Sequence, residues 1–201
     1  MPAALKFQPT KSAPPRKRWT RSGYEALTSP TLSEQSLELV EGDLISKTGK
    51  KRPHVIGMSL MLKWLVQTFT FPFVNSEAPS DVALQDNPST EPEPDLIVLN
   101  RDQAEFLHSN PEPENLHLVI EVADTTLAFD LSTKARLYAR AGIIEYWVLD
   151  LHGRRIVVHR DPRNGRYSSV AAYQEKESVS PLAAPGAELR VRSVLPPISV
   201  V

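Results

Sequence analysis

The chain has 201 residues, of which 41% are hydrophobic and 23% charged, so it is long and apolar enough for one globular domain with a buried core. It contains no cysteine, which excludes a disulfide framework and zinc sites built on thiolates. The net charge of −1 argues against a strongly basic nucleic-acid binder, so any affinity for phosphate must come from local patches such as Lys11–Arg21 and Lys47–His54. Each patch alone is more often a solvated run of charges.

The N-terminal region has a different composition from the rest of the chain. Residues 1–18 are rich in proline and basic side chains, which predicts a flexible arm, and residues 19–201 are expected to form a single domain. No stretch has the length and hydrophobicity of a membrane span, and the N-terminus lacks the apolar core of a signal peptide. A cytoplasmic location is therefore expected.

The first half of the chain carries helix and hairpin signals. Thr20 is a good N-cap for a short helix that ends at Ser29-Pro30. Two short apolar runs around Gly42 predict a hairpin over Leu37–Ile45. Apolar residues at helical spacing predict a helix over Pro53–Phe69. Residues Phe71–Leu84 are expected to hold one or two strands, of which Asp81–Leu84 is the clearer.

The second half alternates apolar runs with one helix. The helix is predicted over Asp130–Ala141, with Gly142 suited to its C-terminal end. Proline-containing residues 181–197 are expected to pack along the edge of the sheet. Strands are predicted at Leu96–Leu99, Leu116–Glu121, Glu145–Leu151, Arg155–His159 and Tyr167–Tyr173. These elements indicate an α/β fold, with a central mixed sheet flanked by helices and peripheral β-hairpins.

Two of the apolar strands carry a carboxylate at one end. Asp95 precedes Leu96–Leu99, and Glu121 ends the following strand. If these strands are neighbours, the two carboxylates meet at the rim of the sheet and repel each other unless a proton or a cation lies between them. Carboxylate oxygens are hard ligands that suit Mg²⁺ or Mn²⁺.

Three further side chains have two interpretations each. Asp130 and Lys134 are four residues apart, which favours a surface pair on the helix worth about 0.3–0.5 kcal/mol, although Lys134 could instead point at the carboxylates. Glu38 is either part of an edge strand or an additional metal ligand. His54 near the start of the long helix is more often a surface or capping residue than a catalytic one.

The ordered set of motifs resembles the Uma-two family of bacterial endonucleases, a branch of the PD-(D/E)XK, or restriction-endonuclease-like, superfamily. That branch has a Trp-Thr entry helix, a Glu-Leu-x-x-Gly hairpin, a histidine opening a long helix, Pro-Asp-Leu, a strand ending in Glu-Val, and a helix-to-strand motif running from aspartate and lysine to Glu-Tyr-Trp and a final aspartate. The matching positions here are Trp19-Thr20, Glu38-Leu39 with Gly42, His54, Pro94-Asp95-Leu96, Glu121-Val122, and Asp130 with Lys134 through Glu145-Tyr146-Trp147 to Asp150.

The resemblance implies a restriction-endonuclease-like sheet and a site in which Asp95 and Glu121 bind Mg²⁺ or Mn²⁺. The superfamily's lysine normally lies two residues after the glutamate, where this chain has Ala123, so Lys134 is the implied substitute. Glu38 would be a further metal ligand. His54 and Asp130 would be accessory residues.

The implied reaction is hydrolysis of DNA phosphodiester bonds by metal-activated water. A homodimer is expected, because two-fold related sites suit the cutting of both strands of a duplex. Two alternatives stay open. The missing strand lysine and the near-neutral charge favour a catalytically inactive nuclease-fold protein that serves as a binding or interaction module. A metal-dependent hydrolase of another polyphosphate or of nucleotides is the third interpretation.

Overall fold

The computed structural model describes residues 17–27, 37–46 and 51–197. Residues 1–16 of the predicted arm, the predicted helix end at Ser29-Pro30 and residues 47–50 of the second basic patch lie outside these ranges.

A six-stranded mixed sheet forms the centre of the protein. Its strands, in spatial order, are β3 Val74–Ser76, β4 Leu96–Leu99, β5 Leu116–Ala123, β6 Glu145–Asp150, β7 Arg155–Arg163 and β8 Arg166–Gln174. Every neighbouring pair is antiparallel except β5 and β6, which are parallel. Strands β4 and β6 are buried along their whole length, as expected of continuous apolar runs covered on both faces.

Helices cover both faces of this sheet. Helix α1 is Arg21–Leu27 and α2 is Arg52–Phe69, with Pro53 in the first turn of α2, where its missing N–H is tolerated. A parallel pair of strands needs a crossover connection, and a second long helical segment supplies it between β5 and β6. This crossover helix consists of α3 Leu127–Phe129, a π-helical segment Asp130–Lys134 and α4 Ala135–Arg140. The mixed α/β architecture predicted from the sequence is confirmed.

The core has one apolar layer on each face of the sheet. Met61 and Leu65 of α2 pack with Trp147 on one face. Tyr138 of α4 packs with Tyr146 on the other. Adjacent residues of a strand point to opposite faces, so the alternation within β5 decides which of its side chains meet the crossover helix.

Two small antiparallel sheets lie outside the central one. They are formed by β1 Leu37–Val40 with β2 Asp43–Ser46, and by β9 Ser178–Val179 with β10 Leu189–Arg190. Gly42 takes a φ of +79° in the first hairpin, a conformation that favours glycine.

The helix-end signals in the sequence agree with the structure. The backbone N–H of Gly23 donates to Oγ1 of Thr20 over 3.2 Å, so Thr20 caps α1 as predicted. Gly142 has a φ of +78° directly after the crossover helix, as expected of a glycine that terminates a helix.

Two predictions about the fold are wrong. Asp81–Leu84 is not a strand but an irregular segment and turn; the strand that does form within the predicted range Phe71–Leu84 is Val74–Ser76. A contact distant in sequence holds the segment, because Arg21 of α1 donates to Asp81 over 2.8 Å. The C-terminal region does not run only along a sheet edge: Val191 and Val194 are buried in the core layer against α2. Within the described residues, no helix is long and apolar enough to cross a membrane.

Candidate active site

The two predicted carboxylates meet on one face of the sheet. Leu96 pairs with Ile120 in the antiparallel register, so Asp95, one residue earlier, faces Glu121, one residue later. Asp95 lies on the same face of the sheet as Ile97, and Glu121 on the same face as Val119; both apolar residues belong to the core layer that contacts α4, so the two carboxylates point toward the crossover helix. They are 9% and 5% exposed.

Asp95 is held by the neighbouring strand and by α2. Its Oδ2 accepts a hydrogen bond of 2.8 Å from the backbone N–H of Val122. The same oxygen lies 3.2 Å from Nε2 of His54, which is 9% exposed. The expectation of a surface or capping role for His54 is therefore wrong, because the first turn of α2 carries this side chain to the end of β4.

Lys134 reaches the carboxylates from the crossover helix. Its Nζ lies 2.8 Å from Oε1 of Glu121 and 3.1 Å from Oε2 of Glu38, and its side chain is almost fully buried. Asp130 and Lys134 are 3% and 4% exposed, so the interpretation as a surface pair is wrong.

The π-helical segment that ends at Lys134 marks the place where the crossover helix meets the carboxylates. The wider turn of a π segment changes the direction of the residues that follow, and such segments are frequent at functional sites. Sequence spacing assumes an unbroken α-helix and does not detect this change.

Tyr138 is a site residue that the sequence reasoning missed. Its hydroxyl donates a hydrogen bond of 2.9 Å to Oε1 of Glu121, and its ring is fully buried. The usable signal was its position four residues after Lys134, which places both side chains on one face of a helix.

Glu38 comes from the β1–β2 hairpin rather than from the central sheet. It is 4% exposed, and its Oε2 contacts Lys134 and accepts a weaker bond of 3.4 Å from the backbone N–H of Glu93. The hairpin thus lies against the segment that precedes β4, and this contact brings Glu38 to Lys134.

The position of the superfamily's usual lysine is filled by apolar packing. Ala123 is 1% exposed and belongs to the core layer beneath α4. It lies on the same face of β5 as Glu121, since the two are separated by one residue. The Nζ of Lys134 instead approaches Glu121 from the crossover helix, which covers this face of the sheet.

The charges in the site are unbalanced. Four buried carboxylates, from Glu38, Asp95, Glu121 and Asp130, share this cluster with Lys134, which is the one buried lysine among the residues that the structure describes. Burial raises the pKa of Glu121 to about 8; Lys134 opposes this shift, and the neighbouring carboxylates add to it. Burial also raises the pKa of Asp130 to about 6, although Lys134 and a hydrogen bond from Thr126 favour its ionised form.

Lys134 remains protonated in this setting. Burial alone would lower its pKa, but Glu121, Glu38 and Asp130 outweigh that effect and raise the pKa above its ordinary value. The site is therefore a fixed ammonium group among an excess of carboxylates, and it can bind a further cation or hold a proton.

A cavity of about 430 Å³ opens onto these groups. Its wall combines carboxylates with hydroxyl groups and two basic residues at the start of α2. The lining includes Glu38, Lys51, His54, Glu93, Asp95, Glu121, Asp124, Thr125, Thr126, Asp130 and Lys134.

The donor set fits a hard cation bound through few protein ligands. Among the residues that the structure describes, no group of three or more His, Cys, Asp or Glu side chains is arranged to hold a metal ion. Mg²⁺ needs only one or two carboxylates, because waters and substrate phosphates complete its shell. Asp95 and Glu121 supply two, and both donors to Glu121 use the same oxygen, Oε1.

The sheet, the crossover helix and this acidic cavity define a protein of the restriction-endonuclease-like class. The model of the Uma2 family, described as "Putative restriction endonuclease", matches residues 22–192, and the chain belongs to this family. The resemblance inferred from the motifs is confirmed.

A solved structure has the same fold. It is described as a "putative nuclease belonging to DUF820 from Anabaena variabilis ATCC 29413". The match has a TM-score of 0.67 at 14% sequence identity and covers 88% of this chain and 97% of the other. No curated protein matches the chain.

Proposed function

We propose that this protein is a Mg²⁺-dependent endonuclease that hydrolyses DNA phosphodiester bonds. The observation that carries the proposal is the convergence of Asp95, Glu121 and Lys134 at one end of the β4–β5 pair. Membership of a nuclease-like family supports the class of reaction.

Asp95 and Glu121 would bind the metal. Glu38 would be a further ligand once its carboxylate leaves its ion pair with Lys134. Mn²⁺, which also prefers oxygen ligands, would serve in place of Mg²⁺. Bound metal would supply Lewis acidity and positive charge at the scissile phosphate. The excess of buried carboxylates supports this role, because a divalent cation would relieve their mutual repulsion.

Lys134 would act on the substrate side of the site. Its ammonium group would orient the attacking water and stabilise charge that develops on the phosphate oxygens. Tyr138 would hold Oε1 of Glu121, so that Oε2 is presented to the cation. His54 would position Asp95 through its contact with Oδ2. Asp130 would act as an accessory carboxylate that helps to keep Lys134 protonated.

DNA would reach the site across the rim near the start of α2. Lys51 lines the cavity and Arg52 follows it, so phosphates approaching the acidic floor would first meet positive charge. We further propose a homodimer, because two symmetric sites can cut both strands of one duplex.

Plasmid cleavage tests the proposal directly. The wild-type protein should nick or linearise supercoiled DNA with Mg²⁺ or Mn²⁺ and should be inactive in excess chelator. Asp95→Ala should lose this activity, whereas Glu188→Ala, which removes an exposed carboxylate away from the cavity, should retain it.

Two outcomes would overturn the assignment. Equal cleavage by wild-type and Asp95→Ala protein would remove Asp95 from the reaction. Salt-sensitive DNA binding by the wild type without cleavage under any metal condition would instead identify a non-catalytic binding module.

A further inference from the structure

A second cavity borders the crossover helix and shares no lining residue with the acidic one. It lies between this helix and strands β7 and β8, and its volume of about 450 Å³ is within the range of small-molecule sites. Its lining combines apolar and basic side chains: Leu131, Ser132, Ala135, Arg136, Val157, His159, Arg166, Tyr167 and Val170.

The charged groups of this cavity are all basic. Arg136 of the crossover helix and Arg166 of β8 are exposed at its mouth, and none of the described residues that line it is acidic. Neither guanidinium forms a hydrogen bond or an ion pair within the described part of the chain. Arg163 lies directly opposite Arg166 in the β7–β8 ladder, an arrangement of like charges that is destabilising. A bound anion would relieve this repulsion.

Other arginines on the same helix and sheet are neutralised by the protein itself. Arg140 of the crossover helix lies 2.7 Å from Glu41 and 3.0 Å from Asp86, and Arg160 of β7 lies 2.6 Å from Glu145. Those arginines hold parts of the fold together. The two arginines at the mouth of the second cavity have no such partner and are free to bind a ligand.

The wall of the cavity also contains a buried polar group that lacks a partner. His159 is 5% exposed, and backbone groups of Tyr146 and Val157 lie near its ring. Its Nδ1 nevertheless makes no hydrogen bond of normal geometry with any described residue. Burial lowers the pKa of His159, so the ring is neutral near pH 7. Because buried polar atoms normally have a partner, this nitrogen indicates a group that the ligand would supply.

The remaining surface of the cavity is apolar. Leu131, Ala135 and Val157 form part of its wall, and Val170 is 56% exposed beside them. Val170 pairs with His159 across the β7–β8 ladder, so the two side chains lie on the same face of the sheet. A ligand that covered Val170 would bury apolar surface and stand next to the imidazole.

We propose that this cavity binds a small phosphate monoester with a compact apolar body, for which a nucleoside 5′-monophosphate is a suitable probe. A phosphate monoester is close to a dianion at neutral pH and so matches a cluster of arginines better than a carboxylate does. Guanidinium groups bind phosphate oxygens in a bidentate manner. The phosphate would stay at the mouth with Arg136 and Arg166, while the body would lie against Val170 and His159.

Isothermal titration calorimetry with adenosine 5′-monophosphate, in excess chelator, tests the site. The nucleotide should bind at least tenfold more tightly than adenosine, which lacks the anion, or inorganic phosphate, which lacks the apolar body. Arg136→Gln and Arg166→Gln should each weaken binding by about tenfold or more, since each removes charged hydrogen bonds. Arg101→Gln, at an exposed arginine outside both cavities, and Asp95→Ala, in the acidic cavity, should bind like wild type.

Nitrogen-15 resonances of the imidazole rings test the placement of the ligand. Addition of the nucleotide should shift the signals of His159, which His159→Gln identifies by their loss. The signals of His108, an exposed histidine outside both cavities, should not move. Circular dichroism and thermal unfolding should show that every variant is folded.

Four results would overturn the proposal: no binding of the nucleotide; binding of inorganic phosphate as tight as that of the nucleotide; equal losses in the Arg101 and Arg136 variants; or loss of binding in Asp95→Ala, which would place the nucleotide in the acidic cavity. None of these measurements depends on DNA cleavage. A failure of this site is therefore distinguishable from a failure of the nuclease assignment.

Discussion

Two buried glutamates at opposite ends of the parallel strand pair have very different surroundings. Glu145 begins β6 and is fully buried, and both of its oxygens are used. Its Oε1 accepts hydrogen bonds from Arg160 over 2.8 Å and from Trp147 over 2.9 Å, and its Oε2 accepts one of 2.7 Å from the backbone N–H of Leu182. This carboxylate ties the C-terminal region to the sheet.

Glu121, near the end of β5, is buried to nearly the same degree but borders a cavity. Lys134 and Tyr138 both donate to one of its oxygens, and further carboxylates surround it. The comparison teaches that burial of a charged side chain does not by itself identify a functional site. A saturated carboxylate serves the fold, whereas a carboxylate with spare capacity beside a cavity and an unbalanced charge is available for chemistry.

The largest expected effect is on DNA cleavage, which should require the charge of Glu121 but not that of Glu145. Glu121→Gln keeps the shape of the side chain but removes its charge, so DNA cleavage should fall by about 10²–10³-fold or more, on the scale of losing one electrostatic element of an active site. Steady-state plasmid nicking measures this effect. Glu145→Gln is the matched control, and comparable loss of activity in that variant at equal folded fraction would remove the distinction.

The free energy of unfolding, unlike the cleavage rate, should depend strongly on Glu145. Glu145→Ala leaves the guanidinium of Arg160 without its buried partner and frees the backbone N–H of Leu182, so the free energy of unfolding should fall by about 3–5 kcal/mol. Urea unfolding monitored by tryptophan fluorescence is a suitable measurement, since Trp147 belongs to the same cluster. A loss below about 1 kcal/mol, the net value of an ordinary hydrogen bond, would mean that this cluster does not anchor the C-terminal region.

The pH dependence of stability should sharpen the comparison. Burial raises the pKa of Glu121 from about 4.5 in the unfolded chain to about 8 in the folded, metal-free protein. The folded state therefore binds the proton more tightly, and the stability linked to that proton is lost as pH rises from about 4.5 to about 8.

Glu121→Gln cannot ionise at this position, so its free energy of unfolding should rise relative to wild type between about pH 5 and about pH 8. Urea titrations of both proteins in chelator, at the two ends of this window, give the difference. Asp130 contributes similarly to both proteins and cancels to first order. If the free energies of unfolding of the two proteins changed with pH in parallel, ionisation of Glu121 would not destabilise the folded state as proposed.

The smallest expected effect concerns Tyr138. Tyr138→Phe removes one donor to Glu121 and should lower the free energy of unfolding by about 1 kcal/mol. The cleavage rate should fall less than in Glu121→Gln, because Lys134 still holds the carboxylate. Tyr167→Phe removes a hydroxyl that donates to the backbone of Ile143 instead, and serves as the control for loss of a partly buried hydroxyl. Equal effects on cleavage in the two variants would argue against a role for Tyr138 in the site.

The sequence by itself determined strands β4–β8 of the central sheet and the main acidic pair. The runs at Leu96–Leu99 and Leu116–Glu121 are apolar at every or nearly every position, which is the local signature of strands covered on both faces. Carboxylates at their ends are then confined to the rim of the sheet. The order of the motifs was enough to place the chain in its family.

Contacts between residues far apart in the chain decided the rest. Asp81–Leu84 has the residues of a strand, but Arg21 binds Asp81 and no neighbouring strand is present for it among the described residues. His54 and Glu38 gave weak local signals because each enters the site from an element outside the β4–β5 pair.

The position of Lys134 depends both on local sequence and on contacts between distant residues. Its spacing from Asp130 fixes which helix it occupies but not which way that helix faces, and a surface pair was the better interpretation of spacing alone. The π-helical turn and the packing of Tyr138 against Tyr146 aim that face at the sheet. Local sequence specified the strands, the helix and the carboxylates, whereas only tertiary packing set the orientation that brings the ammonium group within 2.8 Å of Glu121.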